Sequence, residues 1–514
     1  MENIEEFYTV AADFVAKNTK DIEKAGKALA IGAAVYYTVS KLYDAYFGPL
    51  SHLPGPFLGR FSKYSKASLE KPLGTGYVKM LELHNKYGSV VRLGPKYISV
   101  SDKDMIKQIL VKDDLMKGPN YGFLDQQTMF STRDKAFHKL RRRVVSPAFS
   151  IKYLNSLEPF MDKTLQSFIQ KIDKDIKATR NQDGYGNVDL WVLFQCLALD
   201  IIGETAFGET FHMIENNNHP VPGSIGKSLM VAHHILADGV FASWIRYLPK
   251  AFKGGKARRT VDDFMTRIVQ ERMQGGEAAR RNDILQILID TQKKPNPEDR
   301  LSVQDIIIET VLFLVAGSET TSNTTGFAII ELLRNREAFA KLRQEIDALP
   351  FETGEFFKHD QLKHLPYLNA VISETLRLDW IGALGLDRVA TEDIILGKDL
   401  LVPKGTIINA SIYHLHMNPS IWKNPKEFRP ERWLENADPA PDMDAFYPFS
   451  AGSRNCIGKN FAMQEMRLAL ATLLKLYDFK PIPEEMKDAE QVRQYFTLQV
   501  KKNSFKCLLK RRSA

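Results

Sequence analysis

The chain has 514 residues, 44% of them hydrophobic, and a formal charge of +8. That is apolar material for one large core, and no long linker or fixed-period repeat follows the first sixty residues. A basic balance admits nucleic acid, an anionic membrane or an acidic protein partner. The first is excluded by the lack of zinc-finger spacing and of an aromatic ribonucleoprotein signature. Three scattered cysteines, Cys196, Cys456 and Cys507, exclude a disulfide framework and a structural zinc site, and indicate a reducing compartment.

Ala28 to Ser40 is uncharged and lies between Lys27 and Lys41. It is shorter than the ~20 residues that span a bilayer. Tyr43, Tyr46 and Phe47 follow at an interfacial position, and upstream Phe7, Tyr8, Ala11, Phe14 and Val15 recur at helical spacing. The pattern predicts membrane association, against the alternative of a surface helix docked on the domain. Glu2, Glu5 and Glu6 argue against a cleaved signal peptide. Lysines on both sides leave orientation open. Pro49 and Leu53-Pro54-Gly55-Pro56 then form a stiff hinge. The expected division is an anchor over 1–49 and a catalytic domain over 50–514.

Val90–Leu93 and Ile98–Val100, separated by Gly94-Pro95, predict a hairpin. Asp134 to Val145 predicts a basic helix stopping near Pro147; its Arg141, Arg142 and Arg143 are a solvated face or a binding run. Asp189 to Phe207 predicts an apolar helix ending at Gly208, with Cys196 as a small core residue. Residues 215–255, with Phe241 and Trp244, predict a loop–helix region with lid or membrane contacts. Ser302 is an N-cap, with Asp305 in the first turn, for a helix running to Arg334, about 50 Å long. Beyond residue 385 Pro and Gly are frequent, with a β-like run at Thr406–Ile408. The fold class is mainly α: a large helical domain with a long central helix and small β-sheets.

Four stretches carry chemistry. Phe449-Ser450-Ala451-Gly452-Ser453-Arg454-Asn455-Cys456-Ile457-Gly458 places a cysteine in a glycine-bracketed loop just before a helix, Phe461–Leu476. Glycines let backbone pass close to a flat cofactor. A helix N-terminus favours thiolate over thiol. In Ala316-Gly317-Ser318-Glu319-Thr320-Thr321 a small residue leaves room over a cofactor. An acid beside a hydroxyl can relay protons there, and poor helix formers predict a local widening. The alternatives are a surface charge at Glu319 and a hydroxyl of Thr320 bonded back along the helix. Glu374 and Arg377 share a helix face, and Phe428-Arg429-Pro430-Glu431-Arg432-Trp433 follows. His138-Lys139-Leu140-Arg141-Arg142 precedes Ser146-Pro147-Ala148-Phe149.

Together these resemble the cytochrome P450 family over roughly residue 50 to the C-terminus. Phe449, Gly452, Arg454, Cys456 and Gly458 match every fixed position of its haem-binding loop. The resemblance implies haem b (iron protoporphyrin IX) between the central helix and the cysteine loop, with Cys456 as metal ligand. Phe449 and Gly458 would border the haem. His138, Arg142, Arg388 and Arg454 would surround its propionates; His138 stands where the family often has Trp. Glu319 and Thr320 would deliver protons to bound oxygen, and Glu374, Arg377 and Arg432 would form a buried structural triad. Leu378-Asp379-Trp380-Ile381-Gly382 departs from the family, which carries a proline shortly after the position of Arg377.

The implied reaction is monooxygenation of a lipophilic small molecule: a steroid, terpenoid, fatty acid or xenobiotic. The expected pocket walls are Tyr121–Met129, Phe313–Thr321, Leu384–Leu386 and Phe496–Leu498. No flavin or nicotinamide fingerprint is present, so electrons come from an NADPH-dependent cytochrome reductase, with cytochrome b5 as a second donor. Lys459 and Arg467 would help dock such an acidic partner. The implied location is the endoplasmic reticulum membrane with the catalytic domain facing the cytosol. The stretch Tyr46-Phe47-Gly48-Pro49-Leu50 looks most like fungal members. The rival functions are a hydroperoxide-rearranging enzyme, a haem-based sensor or carrier, and a haem-free hydrolase with Cys456 as nucleophile.

Overall fold

The computed structural model describes residues 2–62, 69–123, 127–216, 220–237, 255–351 and 357–512. Phe241 and Trp244 lie outside the described residues, as do the side chains of Phe7, Tyr8, Ala11, Phe14 and Val15 and of residues 122–126.

Helix α1 (Glu2–Tyr46) is one uninterrupted helix rather than separate amphipathic and apolar pieces. Its last turn is fastened to the domain. The buried Arg92 guanidinium donates to the carbonyls of Asp44 (2.9 Å) and Ala45 (3.2 Å). After α2 (Gly76–Tyr87), strands β1 (Val90–Gly94) and β2 (Tyr97–Val100) form the predicted hairpin, Val90 opposite Val100. Strand β3 (Met116–Lys117) precedes α3 (Lys135–Val145). The Asp134 carboxylate caps α3 by accepting from the Ala136 and Phe137 N–H groups at 2.7 and 3.1 Å.

Helix α4 (Glu158–Thr179) and strand β4 (Gly186–Asp189) lead into α5 (Leu190–Ile202). The bonding of α5 widens to a π turn at Gly203–Phe207, so the predicted helix to Phe207 changes pitch before Gly208 ends it. Helices α6 (Pro220–Ala237) and α7 (Gly255–Gln274) flank the undescribed residues 238–254.

The central helix α8 (Val303–Arg334) has the predicted ends. Ser302 Oγ accepts the Asp305 N–H, and the Asp305 carboxylate accepts the Ser302 N–H, both at 3.1 Å. This reciprocal box satisfies donors that a helix start leaves free. α8 packs closely on α5 because its glycines remove side chains at the contact. A Cβ on Gly317 would stand 3.0 Å from Ile202, and one on Gly326 only 2.6 Å from the Trp191 ring. The predicted widening at Ala316–Thr321 is absent: α8 keeps α-helical bonding throughout.

The remainder contains α9 (Pro366–Leu378), β5 (Leu386–Val389), β6 (Ile394–Leu396), β7 (Leu400–Val402) and β8 (Ile407–Ala410). It ends with α10 (Lys459–Leu476), β9 (Tyr477–Pro481), β10 (Val492–Tyr495), β11 (Thr497–Val500) and β12 (Lys506–Arg511). The sheets are small: β1-β2-β8-β5-β3, β4-β12-β9, and the hairpins β6–β7 and β10–β11. Cys196 and Cys507 are buried core residues.

Candidate active site

The cysteine loop is held by contacts that do not involve its sulfur. Gly452 has φ +71°, and a Cβ there would meet the Leu110 carbonyl at 1.8 Å. This glycine therefore serves a left-handed turn against the protein, not close approach to a cofactor. The Ser453 hydroxyl donates to Asp114 at 2.8 Å, and the Cys456 N–H donates to the Phe449 carbonyl at 2.9 Å. Arg142 donates to the Asn455 carbonyl (2.7 Å) and side chain (2.5 Å), so it braces the loop from α3.

Within the stretch that departs from the family's proline, Trp380 is buried in the core and its indole N–H donates to the Pro448 carbonyl at 3.0 Å. The departure thus supports the base of the cysteine loop.

Protein atoms crowd around Cys456, yet its surface is accessible. Gly458 keeps one side small: its absent Cβ would lie 3.9 Å from the sulfur. The N–H groups of Gly458 and Lys459 and the charge of Arg142 favour thiolate, but burial is the largest influence and the free thiol is raised. The helix N-terminus alone therefore does not ionise it. A bound metal removes a thiol proton outright.

The central helix α8 also carries an accessible stretch. Ala316 is exposed, although most of its helix is buried, and Leu312 and Thr320 are half-buried on the same i, i+4 stripe. Thr320 Oγ donates to the Ala316 carbonyl at 2.7 Å. Glu319 is buried, not a surface charge. Burial pushes its carboxyl up to about 7, partly opposed by the Asn323 amide. Its Oε2 has no hydrogen-bond partner among the described residues.

A cluster of cations lies to one side. Antiparallel pairing of β3 with β5 sets Lys117 directly opposite Arg388. Both are buried, and like charges directly opposite destabilise a strand pair. Arg388 and Arg454 join burial in driving the Lys117 ammonium well below its ordinary range. Burial and then Arg454, Lys117 and Arg142 lower buried His138 to about 4, so its imidazole is neutral at pH 7. Lys117 Nζ donates to the Phe130 carbonyl (2.5 Å), and Arg454 to those of Thr132 (3.0 Å) and Asp134 (3.2 Å). Among the described residues no carboxylate reaches ion-pair distance of Lys117, Arg388 or Arg454. Such a cluster favours a bound anion.

The sequence reading missed Lys117, because its partners become visible only through the β3–β5 pairing. It also missed Glu309. This α8 residue is pushed up to about 7 by burial, accepts the Met129 N–H at 2.8 Å and leaves Oε2 without a partner among the described residues.

Glu374 accepts from Arg377 Nε (2.9 Å) and Nη2 (2.8 Å), Arg432 Nε (2.9 Å), the Arg429 N–H (3.0 Å) and Trp433 Nε1 (2.9 Å). The three charged residues of the expected triad are brought together and buried. The arginine run divides: Arg141 pairs with Asp305 and Arg143 with Asp299, leaving Arg142 on the loop. Arg467 is not a free docking charge. Its guanidinium is bound to Asn369 (2.7 and 2.9 Å) and faces His359.

A long helix crossing a mainly α domain, an accessible cysteine in a glycine-bracketed loop, and an adjacent cluster of buried cations fit the frame of a haem-thiolate enzyme. The comparisons agree: the family profile "Cytochrome P450" matches residues 49–507, and the chain belongs to the cytochrome P450 family. It is similar to the cytochrome P450 monooxygenase FUS8 of Gibberella moniliformis, 32% identical over 490 residues, covering 92% of each chain. It is also similar to the monooxygenase acrD of Aspergillus aculeatus, 34% identical over 462 residues, 87% of this chain and 89% of the relative. The monooxygenase TRI4 of Fusarium sporotrichioides is 29% identical over 474 residues, 88% of each chain.

The protein is thus a fungal cytochrome P450 monooxygenase. The family carries haem with a cysteine thiolate axial ligand and takes a lipophilic substrate and a redox partner. The residues present fit that cofactor: an accessible thiol for the metal, and buried cations without a carboxylate partner among the described residues for its propionates.

Proposed function

We propose that Cys456 is the axial thiolate of a monooxygenase that inserts one oxygen atom from O₂ into a lipophilic small molecule. The proposed substrates are a steroid, terpenoid, fatty acid or xenobiotic. The observation that carries this reading is the accessible Cys456 thiol beside a buried cation cluster with no carboxylate partner among the described residues. When bound, the haem supplies the metal at which oxygen is activated, and thiolate ligation favours O–O cleavage. Arg388, Arg454, Lys117 and neutral His138 would hold the propionates through charge and hydrogen bonds. Arg142 fixes the loop that presents the sulfur, and Phe449 and Gly458 border the haem. Glu319, poised near neutrality, holds and releases a proton beside the oxygen site, and Thr320 Oγ leaves its bond to Ala316 to pass it on.

Lys117 gives a test with a cofactor readout. Lys117→Met is expected to speed haem loss to apomyoglobin by about tenfold, while Lys117→Arg retains haem. Equal rates in all three proteins would remove Lys117 from the cradle.

The proposed electron donor is an NADPH-dependent flavoprotein reductase, with cytochrome b5 as a second donor, docking where Lys459 is exposed. The proposed arrangement is a membrane anchor over 1–49 and a catalytic domain over 50–514, on the cytosolic side of the endoplasmic reticulum. Exposed apolar residues support it: Tyr36 (77%), Phe47 (75%) and Phe57 (65%) lie along α1 and the segment after it. Among the described residues, the one helix apolar enough to cross a bilayer by composition is Leu190–Phe207, and it is 94% buried in the core.

The deciding experiment is reconstitution with reductase and NADPH, scored for NADPH use, peroxide and product. The wild type is expected to couple NADPH to oxygenated product. Thr320→Ala should keep consuming NADPH while product falls at least about tenfold and peroxide rises. Unchanged coupling would remove Thr320, and wild-type haem without NADPH-driven turnover would favour a hydroperoxide-rearranging enzyme or a sensor.

A further inference from the structure

A loop and strand β11 are tied to the central helix on either side of its accessible stretch. Glu309 accepts the Met129 N–H at 2.8 Å, and Asn323 Nδ2 donates to the Leu498 carbonyl at 3.2 Å. The anchors are 14 residues apart, about 21 Å along the helix, and they flank Ala316–Thr320. From these anchors reach Phe130 and Phe496, whose rings meet edge to face with centroids 6.0 Å apart. Phe130 in turn meets Tyr121 at 5.6 Å.

Phe496 sits in the turn between β10 and β11 with φ +75°. A residue with a Cβ adopts that conformation only when its surroundings hold it. Gln494 Nε2 donates to the Phe496 carbonyl at 3.4 Å, and the Phe496 N–H is held by His233, fully buried on α6. The Phe496 N–H donates to His233 Nδ1 at 3.4 Å, and His233 Nε2 lies 3.2 Å from Glu70 Oε2. Nδ1 is therefore the acceptor, and Nε2 carries the hydrogen that Glu70 accepts. The Gly74 N–H donates to the same oxygen at 2.9 Å, and Gly74 accepts the Gln494 N–H at 3.0 Å. The Tyr495 ring stands edge-on to the imidazole at 6.1 Å. One side chain thus joins α6, the Glu70–Gly74 segment and the β10–β11 turn.

We infer that His233 is a positioning residue for the substrate pocket. It accepts the Phe496 N–H and donates to Glu70, and so holds the Phe496 ring against Phe130 as a wall over Ala316–Thr320. The wall selects bulky apolar ligands that pack on both rings over small ones that reach the metal without touching them. This rests on the haem-thiolate reading above.

The test uses haem-loaded protein and two azoles, imidazole as the small probe and clotrimazole as the bulky one, read by difference spectra. His233→Gln keeps a donor near Nε2 but loses the acceptor at Nδ1; His233→Asn keeps the acceptor. With Gln, the clotrimazole Kd is expected to rise roughly tenfold while the imidazole Kd stays within about twofold. With Asn, clotrimazole binding is expected to stay near wild type. Phe496→Ala should reproduce the Gln loss, and the double variant should be no weaker than the worse single one. Equal behaviour of Gln and Asn, or additive losses in the double variant, would overturn the assignment. If the Gln variant retains no haem, Phe496→Ala decides: a weakened clotrimazole complex supports the wall and an unchanged one overturns it. Failure of the wild type to show an imidazole shift would instead sink the haem reading, whatever residue 233 does.

Discussion

Cys456→Ala is expected to abolish the strongly red-shifted Soret band of the reduced, carbon-monoxide-treated protein. The fold should survive, because the loop is built without the sulfur. Gly452 turns it, Ser453 pins it to Asp114, and Arg142 ties Asn455 to α3. What disappears is the metal's protein ligand. Haem affinity should fall by more than the 10- to 100-fold that losing an outer-shell partner costs. Far-ultraviolet circular dichroism should therefore stay near wild type while haem content drops. Thermal stability should lose the increment that a tightly bound ligand adds by mass action. A normal red-shifted band in this variant would remove Cys456 as ligand.

The site was legible in the sequence where chemistry is local. The Phe449–Gly458 loop, the Ser302 cap with Asp305, and the Glu374–Arg377 pair lie within a few residues of one another, so spacing alone places them together. Lys117 was not legible, because β3 is a two-residue strand and its charge has meaning only once β5 sets Arg388 opposite it. His233 escaped for the same reason: its partners Glu70 and Phe496 come from distant parts of the chain. Other expectations failed through tertiary packing. Gly317 promised a widened helix but instead admits Ile202 of α5, and tight packing keeps α8 regular. Arg467 looked like a docking charge, but its helix turns it inward onto Asn369. Trp380, within the stretch that departs from the family's proline, reaches the cysteine loop through Pro448, a contact that no local pattern announces.

Glu374→Gln is expected to lower unfolding free energy by about 3–5 kcal/mol, although it keeps the shape of the side chain. The carboxylate of Glu374 is fully buried and accepts hydrogen bonds from both arginines, one backbone N–H and one indole. An amide cannot accept at both ends, so one oxygen's donors are left facing an NH₂ group. The guanidinium of Arg377 is fully buried and that of Arg432 nearly so, and both would then lack their counter-charge. Burial that was tolerable for a neutralised cluster becomes costly for two uncompensated cations. The exposed Lys293–Glu277 pair supplies the contrast, since both side chains are about three-quarters exposed. Removing that pair should change stability by less than about 1 kcal/mol. Urea unfolding of the two variants beside wild type checks both values. The cluster also orders the chain just ahead of the cysteine loop, because Arg429 and Trp433 bond to the same carboxylate. Haem content of Glu374→Gln should therefore fall along with stability. A Glu374→Gln protein as stable as wild type would mean that the triad's charge is screened in a way its burial does not suggest, and that shape alone holds α9 to the turn.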